Sequence, residues 1–504
     1  MGGTAVTSSH YSDEVFFVLQ KNKKVVIKVV NLTEKEFEEK KSLKVIFPMF
    51  IKINGDELTP VNIFYKLKGK YKFLLESAST IGEEGRYSFM GSNPYMLLSS
   101  RGENITITKE NETKDQKGRV LDYAESHLLK SYEKLDLELP FIGGAIGYIG
   151  YDVIRQYEKL PDNNPDELNL PETYLLFYKE FICFDHFKNT LLLIHNVFPE
   201  EEEDYNTVLN KLNAMKSIID KDSSNHELIE ASQNKEVISN YAKEDFCELV
   251  NKAKDYITAG DIFQVVLSQR LKIKNSIDPF EVYRRLRRSN PSPYMFYIDF
   301  EDYQLAGASP ESLVKVKGNQ VITNPIAGTR PRGETVKEDL QLKEDLLKDE
   351  KELAEHLMLV DLGRNDIGKI SEFGSVKLDK FMEVEMFSHV MHICSKVSGT
   401  LRSELNCFNA LASCLPVGTV SGAPKIRAME IIDELENVRR GVYSGAIGYF
   451  SYDGDMDTCI AIRTIVFKDD FAYVQAGAGI VYDSIPEKEY SETLNKTMAL
   501  MEVL

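Results

Sequence analysis

Two helix-like stretches carry stacked carboxylates. In 349-DEKELAEHLMLVDLGRND-366, Glu352 and Glu355 lie three residues apart and share one helix face, while Leu353, Leu357 and Val360 can pack inward. In 484-SIPEKEYSETLNKTM-498, Glu489, Glu492 and Lys496 recur at i, i+3, i+7, and Leu494, Met498 and Met501 form an apolar side. Ser484, Pro486 and Glu487 there spell a capping box with proline in the first turn. Carboxylates brought together from two helices suit a hard divalent cation such as Mg²⁺, held partly through water and bridging to an anionic substrate. A solvated charged face explains each pair equally well, and spacing does not choose between the two.

Cationic and backbone donors stand nearby in the sequence. The segment 415-LPVGTVSGAPKIRAMEIIDELE-436 is a turn entering a helix, which is either an anion seat at a helix N-terminus or a plain tight turn. Arg463 in 463-RTIVF-467, the Gly-Ala-Gly of 475-QAGAGIVYD-483 and Lys496 would together suit a small dianion. His389 and His392 are three apart, but no third histidine or cysteine stands at ligand spacing, which favours core packing or acid–base duty over a metal pair. In 324-NPIAGTRPRG-333, turn chemistry accounts for the prolines and glycines, but not for the crowding of Arg330 and Arg332 or for the small Ala327.

The elements that must position these groups read as a mixture. Short strands include 24-KVVIKVV-30, 174-YLLFYKEFICFD-185, 190-TLLLIHNVF-198 and 262-IFQVVLSQRLKI-273. Helices follow at Val208, Leu212, Met215, Ile219 and at Phe246, Leu249, Val250, Ala253, Tyr256, Ile257, separated by a polar linker at 221–236. Strands and helices then alternate to the end, which predicts a large α+β or layered α/β protein. The segments 144-GAIGYIGYD-152 and 445-GAIGYFSYD-453 agree at seven of nine positions. They read either as two similar glycine-spaced strands or as an old duplication with two related sheets packed together.

Composition sets outer limits. A chain of 504 residues, 43% hydrophobic and 28% charged, predicts a soluble protein of two large domains. No apolar run approaches the ~20 residues that span a bilayer, so no membrane is expected. A net charge of −18 disfavours nucleic acid while permitting a local basic pocket. Six cysteines without a CxxC pair, and an N-terminus without a signal-peptide layout, predict a reducing cytoplasm.

Taken in order, the motifs resemble the anthranilate synthase component I family of chorismate-utilising enzymes. The resemblance covers nearly the whole chain and is densest from about 240 to 504: AGDIFQVVLSQR, NPSPYMFY, GASPES, PIAGTRPRG, DEKELAEHLMLVDLGRND, VMH, GTVSGAPK, GAIGYF, DTCIAIRT, QAGAGIVYDS and the terminal ExxExxxK. It implies an α+β, two-domain layered β/α/α/β sandwich, here divided into 10–235, with a tryptophan feedback segment, and 236–504, the chorismate-binding catalytic domain. By motif, Glu355 and Glu492 would hold Mg²⁺ with Glu352 and Glu489 in support. Gly328, Thr329, Tyr443, Arg463, Gly477, Ala478, Gly479 and Lys496 would bind chorismate, with Thr419 in the same pocket. Glu311 would protonate the departing C4 hydroxyl while ammonia attacks C2, and His392 would serve the loss of pyruvate. No glutaminase constellation is visible, so the resemblance implies ammonia from a separate glutamine amidotransferase subunit. Ser77, Pro293, Tyr294 and Met295 match the family's tryptophan pocket, which implies inhibition by tryptophan.

Two positions separate the rivals. Related aminodeoxychorismate synthases carry a nucleophilic lysine where this chain has Ala327, and related isochorismate and salicylate synthases carry a lysine base where it has Gln264. Alanine leaves room for free ammonia, and glutamine cannot deprotonate water. A catalytically silent tryptophan-binding regulator is disfavoured by the intact set Glu311, Glu355, His392 and Glu492. Ala327→Lys is expected to lower anthranilate output from chorismate and ammonia; unchanged output would remove Ala327 from this role.

Overall fold

The computed structural model describes residues 29–78, 85–110, 112–133, 139–221, 236–387 and 390–504. The strand expected at 24–30 is described only over Val29–Val30, and most of the linker expected at 221–236 lies outside the described residues. Among the described residues no helix is long and apolar enough to cross a membrane.

Two antiparallel sheets form the frame. The first runs in the order Val29–Val30, Phe47–Asn54, Thr190–Val197, Glu180–Asp185, Tyr87–Gly91, Phe73–Glu76, Tyr294–Asp299, Tyr303–Ser309, Thr464–Lys468, Phe471–Ile480, Gln264–Lys274, Val237–Ser239. The second runs Ile326–Pro331, Val390–Thr400, Gln320–Thr323, Ser312–Lys317, Met456–Ile460, Ala446–Ser451, Gly144–Ile149, Thr173–Tyr178, Met96–Arg101, Asn104–Lys109, Glu112–Lys117. Both sheets draw strands from either side of residue 235, so the boundary expected there separates neither sheet from the other.

The sheets pack face to face. Phe73, Phe89, Phe181 and Phe296 of the first meet Ile146, Tyr148, Leu176 and Tyr178 of the second, and the hydroxyls of Tyr148 and Tyr303 bond across the interface at 2.8 Å. Helices take the opposite faces. Glu34–Ser42, Pro60–Lys66, Tyr205–Ile219, Pro279–Ser289 and Pro486–Met501 pack on the first sheet, and Val120–Leu128, Glu350–Gly368 and Cys407–Cys414 on the second. The α+β class and the layered two-sheet sandwich are as expected, but the layers run α/β/β/α where β/α/α/β was expected, because aromatic side chains fill the space between the sheets. Strands covered on both faces need apolar groups at every position, which is why 174–185 and 190–198 lack alternation.

The two echoing segments are neighbours within one sheet, not two sheets packed together: Ile447 pairs with Tyr148 and Gly448 with Gly147. A Cβ at Gly147 would stand 1.9 Å from the Tyr174 carbonyl oxygen, so only glycine fits.

At one end the chain crosses between the sheets twice, after Ser309 and after Ile460. The crossings are tied together: the Ile460 N–H donates to Glu311 O (3.0 Å) and the Ala308 N–H to Arg463 O (3.1 Å). Glu311 and Arg463 therefore sit on the seam.

Candidate active site

The acidic helix Glu350–Gly368 begins on Asp349, whose carboxylate accepts from the N–H groups of Lys351 and Glu352. Its Val360 and Ile367 enter the core beside the second sheet, which turns Glu352 and Glu355 toward the seam. The C-terminal helix Pro486–Met501 starts on Ile485 with no side-chain cap. The capping box expected from Ser484 and Glu487 does not form: the Ser484 hydroxyl accepts the Val481 N–H at 3.1 Å. Pro486 has no N–H to satisfy, so a cap is needed less.

The two acidic faces meet. Burial raises the Glu355 carboxyl above its ordinary range, and the negative charges of Glu352 and Glu492 push it the same way. Glu489 is raised by burial and by Glu492, against a hydrogen bond from Ser484. Lys496 supplies countercharge, pairing with Glu492 at 2.7 Å and donating to Gly477 O at 3.0 Å. Among the described residues no three His, Cys, Asp or Glu side chains close a cage around an ion. Mg²⁺ does not require one, since it keeps several waters and commonly takes one or two carboxylates plus substrate oxygens. An all-oxygen donor set in which burial and neighbouring carboxylates raise the proton affinity of Glu355 and Glu489 fits that ion.

Glu311 is 9% exposed, and burial pushes its carboxyl up to about 8, with the Thr419 hydroxyl and Lys496 acting in the other direction. The Thr419 hydroxyl is buried beside it. Both groups line one cavity of about 20 Å³, room for a single water-sized molecule.

Arg463 holds a left-handed backbone (φ 51°), and its guanidinium donates to the Lys496 carbonyl. Burial lowers its pKa, while Tyr443 acts the other way. Tyr443 is buried and pushed up to about 12. A Cβ at Gly477 would meet the Tyr443 hydroxyl at 2.9 Å, and one at Gly479 would meet Gln264 Nε2 at 2.5 Å. The neighbouring strand Thr464–Lys468 pairs only as far as Val474, so beyond it the Gly477–Gly479 backbone is paired on the Gln264–Lys274 side alone. The Ala478 side chain packs in a core cluster, leaving only its backbone for the site.

The stretch 324–333 is not the expected turn. Ile326–Pro331 is the terminal strand of its sheet among the described residues, bulged between Ala327 and Thr329 with Gly328 at φ 67°. An edge tolerates Pro331, and the bulge uses the glycine. The bulge places Gly328 O 2.9 Å and Thr329 Oγ1 3.1 Å from His392 Nδ1. A proton on Nδ1 donated to Gly328 O leaves Nε2 as the acceptor. Burial lowers the His392 pKa, so the ring is neutral near pH 7. His389 lies outside the described residues. The two arginines brace the corner: Arg330 binds Asp349 (2.7 Å) and Glu352 (3.4 Å), and Arg332 binds Asp339 (2.6 Å) and Phe387 O (2.7 Å).

Sequence reasoning missed the pair of half-buried Lys425 with buried Asp366, 2.6 Å, which ties the acidic helix to the helix after the glycine-rich turn. A lysine just past GAP and an aspartate in RND were the available signal. Next to the crossing after Ser309, which pairs with Tyr294, Ser77 and Pro293–Met295 come together. Met295 pairs with Glu76, the Ala78 N–H donates to Ser292 O at 3.0 Å, and the Tyr294 hydroxyl donates to Asp457 at 2.9 Å. The Met295 side chain is 1% exposed and belongs to the core.

Residues 72–502 match the model of the chorismate binding enzyme family. Anthranilate synthase component 1 of Acetivibrio thermocellus is 46% identical over 471 residues, 91% of this chain and 95% of that protein. The protein of the same name from Aquifex aeolicus is 43% identical over 486 residues, 94% and 98% of the two chains. The crystal structure of anthranilate synthase component I from Streptococcus pneumoniae superposes with a TM-score of 0.77 at 43% identity, covering 89% of this chain and 98% of that one. The menaquinone-specific isochorismate synthase of Escherichia coli, 18% identical with a TM-score of 0.70 over 94% and 98% of the two chains, shares the fold.

The Glu311 carboxyl gives a signature in stability. Its folded pKa lies above its unfolded value, so the folded state binds more protons between pH ~4.5 and about 8. The wild type is expected to lose thermal stability relative to Glu311→Gln as pH rises through that window, and no further above it. A difference independent of pH would contradict the buried, protonated acid.

Proposed function

The chain belongs to the chorismate binding enzyme family, and within it to the anthranilate synthase component 1 proteins, and from that premise we propose that it converts chorismate and ammonia to anthranilate and pyruvate, the first step of tryptophan biosynthesis. The observation that carries the reading is the pairing on one seam of a protonated acid, Glu311, with a neutral base, His392, beside the cations Arg463 and Lys496. Burial drives both pKa shifts, and in opposite senses for acid and base.

In the first step the lone pair of ammonia forms the C2–N bond of the ring. The double bonds shift, the C4–O bond breaks, the hydroxyl takes the Glu311 proton and leaves as water, and the ammonium formed on C2 releases one proton to give the amine. In the second, His392 Nε2 removes the proton on C2, the C3–O bond breaks as the ring aromatises, and the enolpyruvyl group leaves to become pyruvate. Arg463, Tyr443, Lys496 and the backbone at Gly477, Ala478, Gly479, Gly328 and Thr329 orient the substrate, with Thr419 against Glu311. Glu355 and Glu492, supported by Glu352 and Glu489, are the residues that hold Mg²⁺, whose chemistry when bound is to neutralise and polarise the ring carboxylate.

Ammonia reaches this chain from a glutamine amidotransferase subunit. Tryptophan binds at Ser77 and Pro293–Met295 and inhibits by favouring one of two states of the enzyme; the adjacency of the strands bearing these residues supports the reading. Aminodeoxychorismate synthase chemistry is the rival, and Ala327 disfavours it.

Incubation with chorismate, Mg²⁺ and ammonium is expected to give growing anthranilate fluorescence, removed by chelation and reduced by tryptophan. Aminodeoxychorismate, or no product, would overturn the assignment, and indifference to tryptophan would remove the inhibitor site alone. His392→Met is expected to accumulate an aminated, pyruvyl-bearing intermediate; normal anthranilate without it would remove His392 from the second step.

A further inference from the structure

One polar junction lies between the acidic helix and the sheet beneath it. His356, in the helix beside Glu355, is fully buried, and its Nε2 stands 2.7 Å from Ser395 Oγ. Ser395, itself 2% exposed, lies on the strand that carries His392. The same Oγ accepts the Met382 N–H at 3.0 Å, and the Ser395 N–H donates to Pro325 O at 3.0 Å.

One residue thus joins four segments. They are the acidic helix, the His392 strand, the strand Lys377–Met386 where its register slips between Lys380 and Glu383, and the chain entering the bulged strand of Gly328 and Thr329. Leu346, Leu353, Met391 and Ile393 form an apolar cluster on these elements, and Arg330 pairs with Asp349 and Glu352 at the start of the helix. Apolar packing resists separation but constrains rotation weakly, whereas a hydrogen bond fixes direction. A carboxylate carried ~6 Å from a helix axis moves on the order of 1 Å for a ten-degree rotation. Displacements of that size near reacting groups cost roughly a hundredfold in rate.

The geometry points to Ser395 as a positioning residue: acting through His356, its hydroxyl sets the rotation of the acidic helix and so the place of the Glu352 and Glu355 carboxylates. This deepens the proposed function, and only its first test rests on the cation reading of those glutamates.

The first test is Mn²⁺ binding to the full chain, followed by electron paramagnetic resonance. Ser395→Ala is expected to weaken binding about tenfold or more, the usual cost of losing an outer-shell partner. Ser395→Thr, which keeps the hydroxyl, is expected to stay near the wild type. His356→Phe is expected to reproduce the loss, and the double variant to add nothing to it. Unchanged binding in Ser395→Ala, or equal loss in Ser395→Thr, would overturn the proposal. A wild type that takes up no Mn²⁺ would refute the cation reading instead. Crystal structures then decide: the Glu355 carboxylate displaced on the order of 1 Å in Ser395→Ala supports the role, and superimposable carboxylates overturn it.

Discussion

Like charges are held together where the two acidic helices meet, and much of the architecture follows from that constraint. Glu355 faces Glu352 along its own helix and Glu492 on another, and both raise its proton affinity. Clustered charge of one sign, partly withdrawn from water, is held together by countercharge fixed beside it. Lys496 and Arg330 supply that charge, and each also grips backbone. Lys496 donates to Gly477 O, and Arg330 donates to Thr329 O. Charge balance and the shape of the two substrate-facing strands are therefore one problem with one solution. The helices that meet pack on different sheets, so the acidic cluster exists only when both sheets are docked.

The same seam separates acid from base. Glu311 and His392 are both withdrawn from water. Withdrawal keeps a proton on the carboxyl and takes one off the imidazole. The bulge at Gly328 adds direction by fixing Nδ1. A sharp turn would not offer the carbonyl and the hydroxyl to one ring nitrogen.

What could be read in the residues was whatever depends on local periodicity or on motif order. The i, i+3 glutamates, the apolar strands and the family resemblance were all legible. That Glu355 would meet Glu492 was not, because the meeting is made by tertiary packing. The Pro- and Gly-rich stretch around Ala327 looked like a turn, since a bulged edge strand accepts the same residues. The arginines there became intelligible only once Asp349 and Asp339 stood opposite them. The apolar runs announced strands buried on both faces, but not whether a helix or a second sheet would cover each. Ser395 gave no signal at all: a serine in a strand is ordinary until a buried histidine is found against it.

In the proposed function, glutamates from two helices hold one divalent cation beside Glu311. The most direct measurement is anomalous diffraction from crystals grown with Mn²⁺ and chorismate or an unreactive analogue. The account requires a single strong peak bonded to a carboxylate oxygen of Glu355 and one of Glu492, directly or through one water, and touching the ring carboxylate. No peak at that place, with the glutamates turned apart into solvent, would contradict it.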